Sequence, residues 1–63
     1  MEYEFKPYDI LQSHNGPNGR WLDFMTLRTE AEARQALQMV CHGEFDGRFI
    51  GFRIMRNGTV VAD

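Results

Sequence analysis

The chain of 63 residues contains one cysteine, Cys41. That excludes a disulfide within the monomer, and a lone thiol fits a reducing compartment better than secretion. Nor is there a positive segment followed by an apolar one at the start, as a secretory leader would show. No apolar run approaches the roughly 18 residues that a spanning helix needs. The expected location is therefore the cytoplasm, with no membrane partner. An excess of positive charge is also missing: 7 Lys and Arg face 9 Asp and Glu, for a net charge of −2. Generic binding to nucleic acid needs a surplus of cations to displace counterions, so this balance argues against it. It is too small a negative charge to suggest a DNA mimic. Internal repeats, low-complexity tracts and linkers are absent, and residues 1–63 are expected to form a single domain. A domain this small buries only about 60% of its unfolded surface and commonly relies on a disulfide, a metal or a partner chain.

The apolar residues that are present fall into strand and helix patterns, which argues against disorder. Residues 3–11 are rich in aromatic and branched side chains, and Tyr3 and Phe5 alternate with Glu4 and Lys6. Pro7 removes a backbone donor, so an edge strand or a bulge is expected there. Asn-Gly, Gly-Pro and Asn-Gly dipeptides crowd residues 12–19, the signature of a surface loop. Residues 20–27 read as a second strand with apolar residues on both faces. Thr29 followed by Glu32 is a capping-box pattern. Ala33, Ala36, Leu37, Val40 and Cys41 then form one apolar helical stripe, and Gly43 is a natural C-cap. Asp46-Gly47 marks a turn. Residues 48–56 read as one strand with Ile50, Phe52 and Ile54 on one face. Asn57-Gly58 is the preferred two-residue hairpin turn. In the simplest register it sets Ile54 opposite Val61 and Met55 opposite Val60.

The expected fold is thus α+β: an antiparallel four-stranded sheet with one helix packed on one face, in the order ββαββ. One helix covers one face. Ile50, Phe52, Ile54 and Val61, joined by Leu22 and Phe24, are the natural set beneath it. The other face then exposes Trp21, Met25, Phe49, Met55 and Val60, and an exposed apolar patch of that kind marks an interaction surface. Arg53 shares it, with Arg20, Arg48 and Arg56 near its rim.

No constellation carries chemistry. His14, Cys41 and His42 are the candidate soft ligands, but neighbouring Cys41 and His42 diverge on a helix and zinc spacing is absent. Cys41 is expected to pack as a small core residue. Ser13 and His14 have no orienting acid. Asp9, Asp23, Glu44 and Asp46 are expected to be solvated, and no glycine loop fits a phosphate cradle. The expectation is a protein without enzymatic activity, catalytic residues, metal or cofactor.

The stretch 21–37, a strand with Trp21 followed by a Thr29 cap and then Glu32-Ala33-Arg34 with Ala36-Leu37, resembles small bacteriophage and prophage accessory proteins. The resemblance covers roughly the middle third of the chain. It implies an antiparallel sheet with one helix, and a phage or mobile-element protein that binds a host protein. Anti-CRISPR proteins and other inhibitors of host defence or replication fall in this size class, and they act by occluding a surface in the host cytoplasm.

The leading expectation is accordingly a small protein-binding module, with an inhibitor of a host complex as its sharper form. Its interface would comprise Trp21, Met25, Phe49, Arg53, Met55 and Val60, together with His14, Asn15 and Arg20 from the loop. Two other expectations stay open. One is a single-stranded nucleic-acid-binding module that stacks bases on Trp21 and Phe49 beside Arg53. The other is a self-assembling structural or regulatory homodimer formed through the same face.

Overall fold

The computed structural model describes residues 3–14, 19–45, 48–49 and 51–63, with residues 44–45 and 48–49 described through their backbone pairing alone. Strands β1 (Asp9–His14) and β2 (Leu22–Leu27) precede helix α1 (Glu30–His42). Four strands follow: β3 (Glu44–Phe45), β4 (Arg48–Phe49), β5 (Gly51–Arg56) and β6 (Thr59–Ala62). The main sheet is antiparallel with the order β2-β1-β5-β6, and α1 packs against one of its faces. The α+β architecture with one helix on a four-stranded sheet is therefore the observed one.

The first strand differs from expectation at both ends. It starts at Asp9 and runs through Gln12, Ser13 and His14, residues whose neighbours' turn signals suggested a loop. The cause lies at Pro7. Asp9 N donates to Lys6 O at 3.3 Å, closing a turn with Pro7 second and Tyr8 third at φ 70°. Proline second and a positive φ third is the pattern of a type II turn, in which glycine normally fills the third place. The turn throws residues 3–6 out of the sheet as an arm, with Tyr3 and Phe5 packed on the core. Beyond it, β1 is central, not an edge strand: it pairs with β2 on one side and β5 on the other. Asn15 and the dipeptides up to Asn18 lie outside the described residues.

The long strand expected over 48–56 is two strands in two sheets. Glu44 pairs with Phe49 and Phe45 with Arg48 in a separate two-stranded ladder. Such local pairing needs little loop-closure entropy. The Asp46-Gly47 turn and the Ile50 core position lie outside the described residues.

The helix begins and ends as its sequence directs. Thr29 is the N-cap, and its hydroxyl oxygen accepts from Glu32 N at 3.2 Å. Glu32 reaches back to accept from Arg28 N at 3.0 Å. Gly43 takes a left-handed φ of 66° and donates to Met39 O at 2.7 Å. Ala33 and Ala36 are buried, and their small side chains let the helix approach the sheet closely. Leu37, Met39 and Val40 pack beside them. Cys41 is exposed, contrary to its expected place in the core: it lies on one flank of the stripe, and the helix turns the opposite flank, with Met39, inward.

Leu11, Leu27 and Ile54 are fully buried, with Phe52 and Ala62 beside them. The Asn57-Gly58 hairpin forms, with φ of 49° and 77°. Met55 faces Val60 as expected, but Ile54 faces Ala62, because a bulge takes up Val61. A second bulge, between Leu11 and Gln12, sets Met25 against Leu11 and Asp23 against Gln12, leaving Phe24 as the extra residue.

Candidate open-face site

Alternation in the observed register decides which side chains leave the helix-covered face. On β1 these are Ile10, Gln12 and His14. On β5 they are Gly51, Arg53 and Met55, each opposite one of them: Ile10 faces Met55, Gln12 faces Arg53 and His14 faces Gly51. Asp23 of β2 faces Gln12 from the other side, and Val60 of β6 faces Met55. One end of the open face is thus apolar, and the other gathers polar and aromatic groups.

The polar end is a chain of contacts across three strands. Gln12 Nε2 donates to Asp23 Oδ1 at 3.0 Å, which turns the amide oxygen of Gln12 toward β5. Arg53 Nε donates to that Oε1 at 2.9 Å. The Arg53 guanidinium then lies 4.0 Å from the centre of the Trp21 ring, a cation–π contact. The His14 ring meets Trp21 edge-on, with centroids 4.3 Å apart and planes at 75°. Gly51 makes room for this: a Cβ there would fall 2.3 Å from His14 Nε2. Beside His14, a hollow of about 300 Å³ is lined by Ser13, Gly19, Arg20 and Leu22.

Of the residues expected at the interface, Trp21, Arg53 and His14 come together here, with Arg20 at the hollow and Met55 and Val60 further along the same face. Met25 does not belong. The bulge in the β1–β2 pairing carries it to the helix side, where it packs on the core. Phe49 does not belong to the main sheet either, because its strand pairs with β3. Asn15 lies outside the described residues. Leu22, expected beneath the helix, is 63% exposed, and Phe24 meets the buried Phe52 edge-on at 5.9 Å while remaining partly exposed. Sequence reasoning missed Gln12 and Asp23. Their signal was present but masked: both are polar residues on apolar strands, and only the register shows that they meet.

A second polar cluster lies on the opposite side of the sheet. Asp9, expected to be solvated, is 1% exposed. Arg56 binds it with two hydrogen bonds, Nε to Oδ1 and Nη2 to Oδ2, each 2.9 Å. Lys6 N and the Tyr3 hydroxyl also donate to Oδ2. Arg56 Nη2 donates further to Glu4 O at 2.7 Å, fastening the arm. Arg56 is therefore no rim residue of the open face. Its hydrogen bonds hold the Asp9 carboxyl below the usual carboxylate range, overcoming desolvation. Burial, then the hydrogen bond to Asp9, pushes the Tyr3 hydroxyl up to about 12. Together these hydrogen bonds tie the arm and β1 to β5.

Among the described residues, no three of His, Cys, Asp and Glu come together in a way that could hold a metal ion. No helix among them is long and apolar enough to cross a membrane. No protein-family model, curated protein or solved structure matches the chain, so any functional assignment must stand on the open face itself.

Proposed function

We propose that the protein is a small protein-binding module whose interface is the sheet face turned away from the helix. One observation carries this: Trp21, Arg53, Met55, Ile10 and Val60 share a face that α1 does not cover. Trp, Met and Arg are the residue types enriched where proteins meet, and Trp and Arg dominate binding energy when desolvated. The protein would act by occupying a surface of its partner, without chemistry of its own. The sharper form of the proposal is a phage-encoded inhibitor of a host defence or replication complex, acting in the host cytoplasm.

The geometry favours protein over nucleic acid. Arg53 already occupies one face of Trp21 and the His14 ring meets the indole edge-on, which leaves at most one ring face for a base to stack on. Phe49, the second ring of the imagined platform, pairs in a different ladder.

Tagged protein is used to capture a stoichiometric partner from its native host, and Met55→Glu is compared with wild type. Met55 is half-buried on the open face, so the charge should abolish capture while the helical circular-dichroism signal stays. Capture that survives Met55→Glu places the interface elsewhere and overturns the proposal. Light scattering of the purified protein separates the self-assembling alternative: a dimer that Met55→Glu dissociates would make the partner a second copy of this chain.

A further inference from the structure

On the arm and the helix segment the described charges balance: Glu4, Asp9, Glu30 and Glu32 stand with Lys6, Arg28, Arg34 and Arg56. On the open face the register places Asp23, which accepts from neutral Gln12. The same cluster holds Arg53, and Arg20 is exposed beside His14. The open face thus carries two described cations, Arg20 and Arg53, against one described carboxylate, Asp23.

Arg53 is also held in a particular way. Its two contacts are to neutral groups, the Gln12 amide oxygen through Nε and the Trp21 ring through the guanidinium plane. Neither cancels its charge, and among the described residues no acceptor engages its terminal nitrogens. Asp23 fixes Gln12, Gln12 fixes Arg53, and Trp21 fixes the plane. An arginine whose rotamer is already set loses less entropy when it binds, and its planar fork matches a carboxylate through two parallel hydrogen bonds.

We infer that Arg53, laid on Trp21 and supported by Gln12, is a preformed receptor for a carboxylate on an acidic segment of a protein partner, with Arg20 supplying a second positive charge. The inference rests on the protein-binding proposal above and gives that partner its chemistry. An acidic peptide is favoured over a single-stranded nucleic acid because Arg53 already covers one of the two Trp21 ring faces on which a base could stack, and the second ring of such a platform, Phe49, pairs in a separate ladder.

Isotope-labelled protein is titrated with an octaglutamate peptide, following the side-chain Nε–H signal of Arg53 and the indole N–H signal of Trp21. Saturable shifts at both are expected, with none from octalysine. Arg53→Lys keeps the charge but loses the fork and the plane, so binding should weaken about tenfold or more, with the helical circular-dichroism signal unchanged. Shifts that bypass Arg53 and Trp21 overturn the inference, as does unchanged binding by Arg53→Lys. Tighter binding of an oligothymidylate to the same cluster would assign the site to nucleic acid instead. The two proposals fail separately. A captured partner lost on Met55→Glu but kept on Arg53→Gln leaves the interface standing and removes its acidic specificity. Indifference to both substitutions removes both.

Discussion

Arg53 and Arg56 stand three residues apart on one strand and have opposite fates. Arg56 points to the helix side, meets a buried carboxylate with two hydrogen bonds and reaches on to the backbone of the arm. Arg53 points to the open side and meets an amide and an indole. The first has its charge cancelled within the fold. The second has its geometry fixed and its charge left over. Side-chain type says nothing of this; the difference comes from strand alternation and from what the neighbouring strands place opposite. The contrast teaches that an arginine's partners, more than its exposure, separate a structural cation from one available to another molecule.

The contrast breaks most severely at Asp9. Asp9→Ala removes the acceptor for Arg56, Tyr3 and Lys6 N at once, and should lower the unfolding free energy by about 3 kcal/mol, the scale for breaking a buried ion pair. Urea denaturation measures this; a loss within experimental error would show that the cluster is not structural.

The same cluster should set how stability changes at the extremes of pH. The Asp9 carboxyl titrates lower in the folded protein than in the unfolded chain. Its contribution is therefore complete above the ordinary Asp pKa of about 3.9 and is lost as pH falls through the lower folded value. Tyr3 titrates higher when folded. Its contribution is complete below the ordinary value of 10.0 and is lost as pH rises toward about 12. Tyr3→Phe should cost about 1 kcal/mol at neutral pH, the worth of one hydrogen bond, and should flatten the alkaline loss while only reducing the acid one, because Arg56 and Lys6 N still hold the Asp9 carboxyl down. Stability followed by denaturant titration across pH checks both limbs.

On the open side the effects on stability should be smaller. Arg53→Gln removes a cation–π contact worth about 0.5–1 kcal/mol at exposed sites, and the thermal midpoint should move little. A large destabilisation would put Arg53 in the same structural class as Arg56. The smallest change is expected at Tyr8. It is exposed in a left-handed conformation that costs an L-residue about 1–2 kcal/mol, which Tyr8→Gly relieves. The added freedom of glycine in the unfolded chain offsets most of that gain, so the net change should stay below about 1 kcal/mol.

Local signals in the sequence specify the structure where that structure is itself local. Thr29, Gly43 and the Asn57-Gly58 turn each act through residues a few positions away. The helix stripe was legible in its centre, at Ala33 and Ala36, but not on its flanks. Met39 and Cys41 lie on opposite sides of it, and only the tilt of the helix on the sheet decides which turns inward. The make-up of the open face was legible in part. Trp21, Arg53, Met55 and Val60 were placed on one face by alternation alone. Met25 was lost to a bulge that reverses alternation in β2, and Phe49 to a short ladder that interrupts the strand. Asp9 shows the deepest limit. It lies one alternation before Leu11, as Arg56 lies one after Ile54, so both continue the buried face. Their meeting depends on pairing between strands more than 40 positions apart.

That long-range pairing also governs how the chain reaches this structure. The β1–β2 and β5–β6 hairpins each draw on neighbouring sequence, but the ladder that joins them, β1 to β5, waits for the two ends of the chain to meet. Loop closure must then precede the reward of contact, which slows folding. Until that seam closes, β1 is a strand with an open edge and a polar middle of Gln12 and Ser13. Folding of the protein should therefore be all-or-none across its length, with neither hairpin persisting alone and the final strands needed before the first can settle.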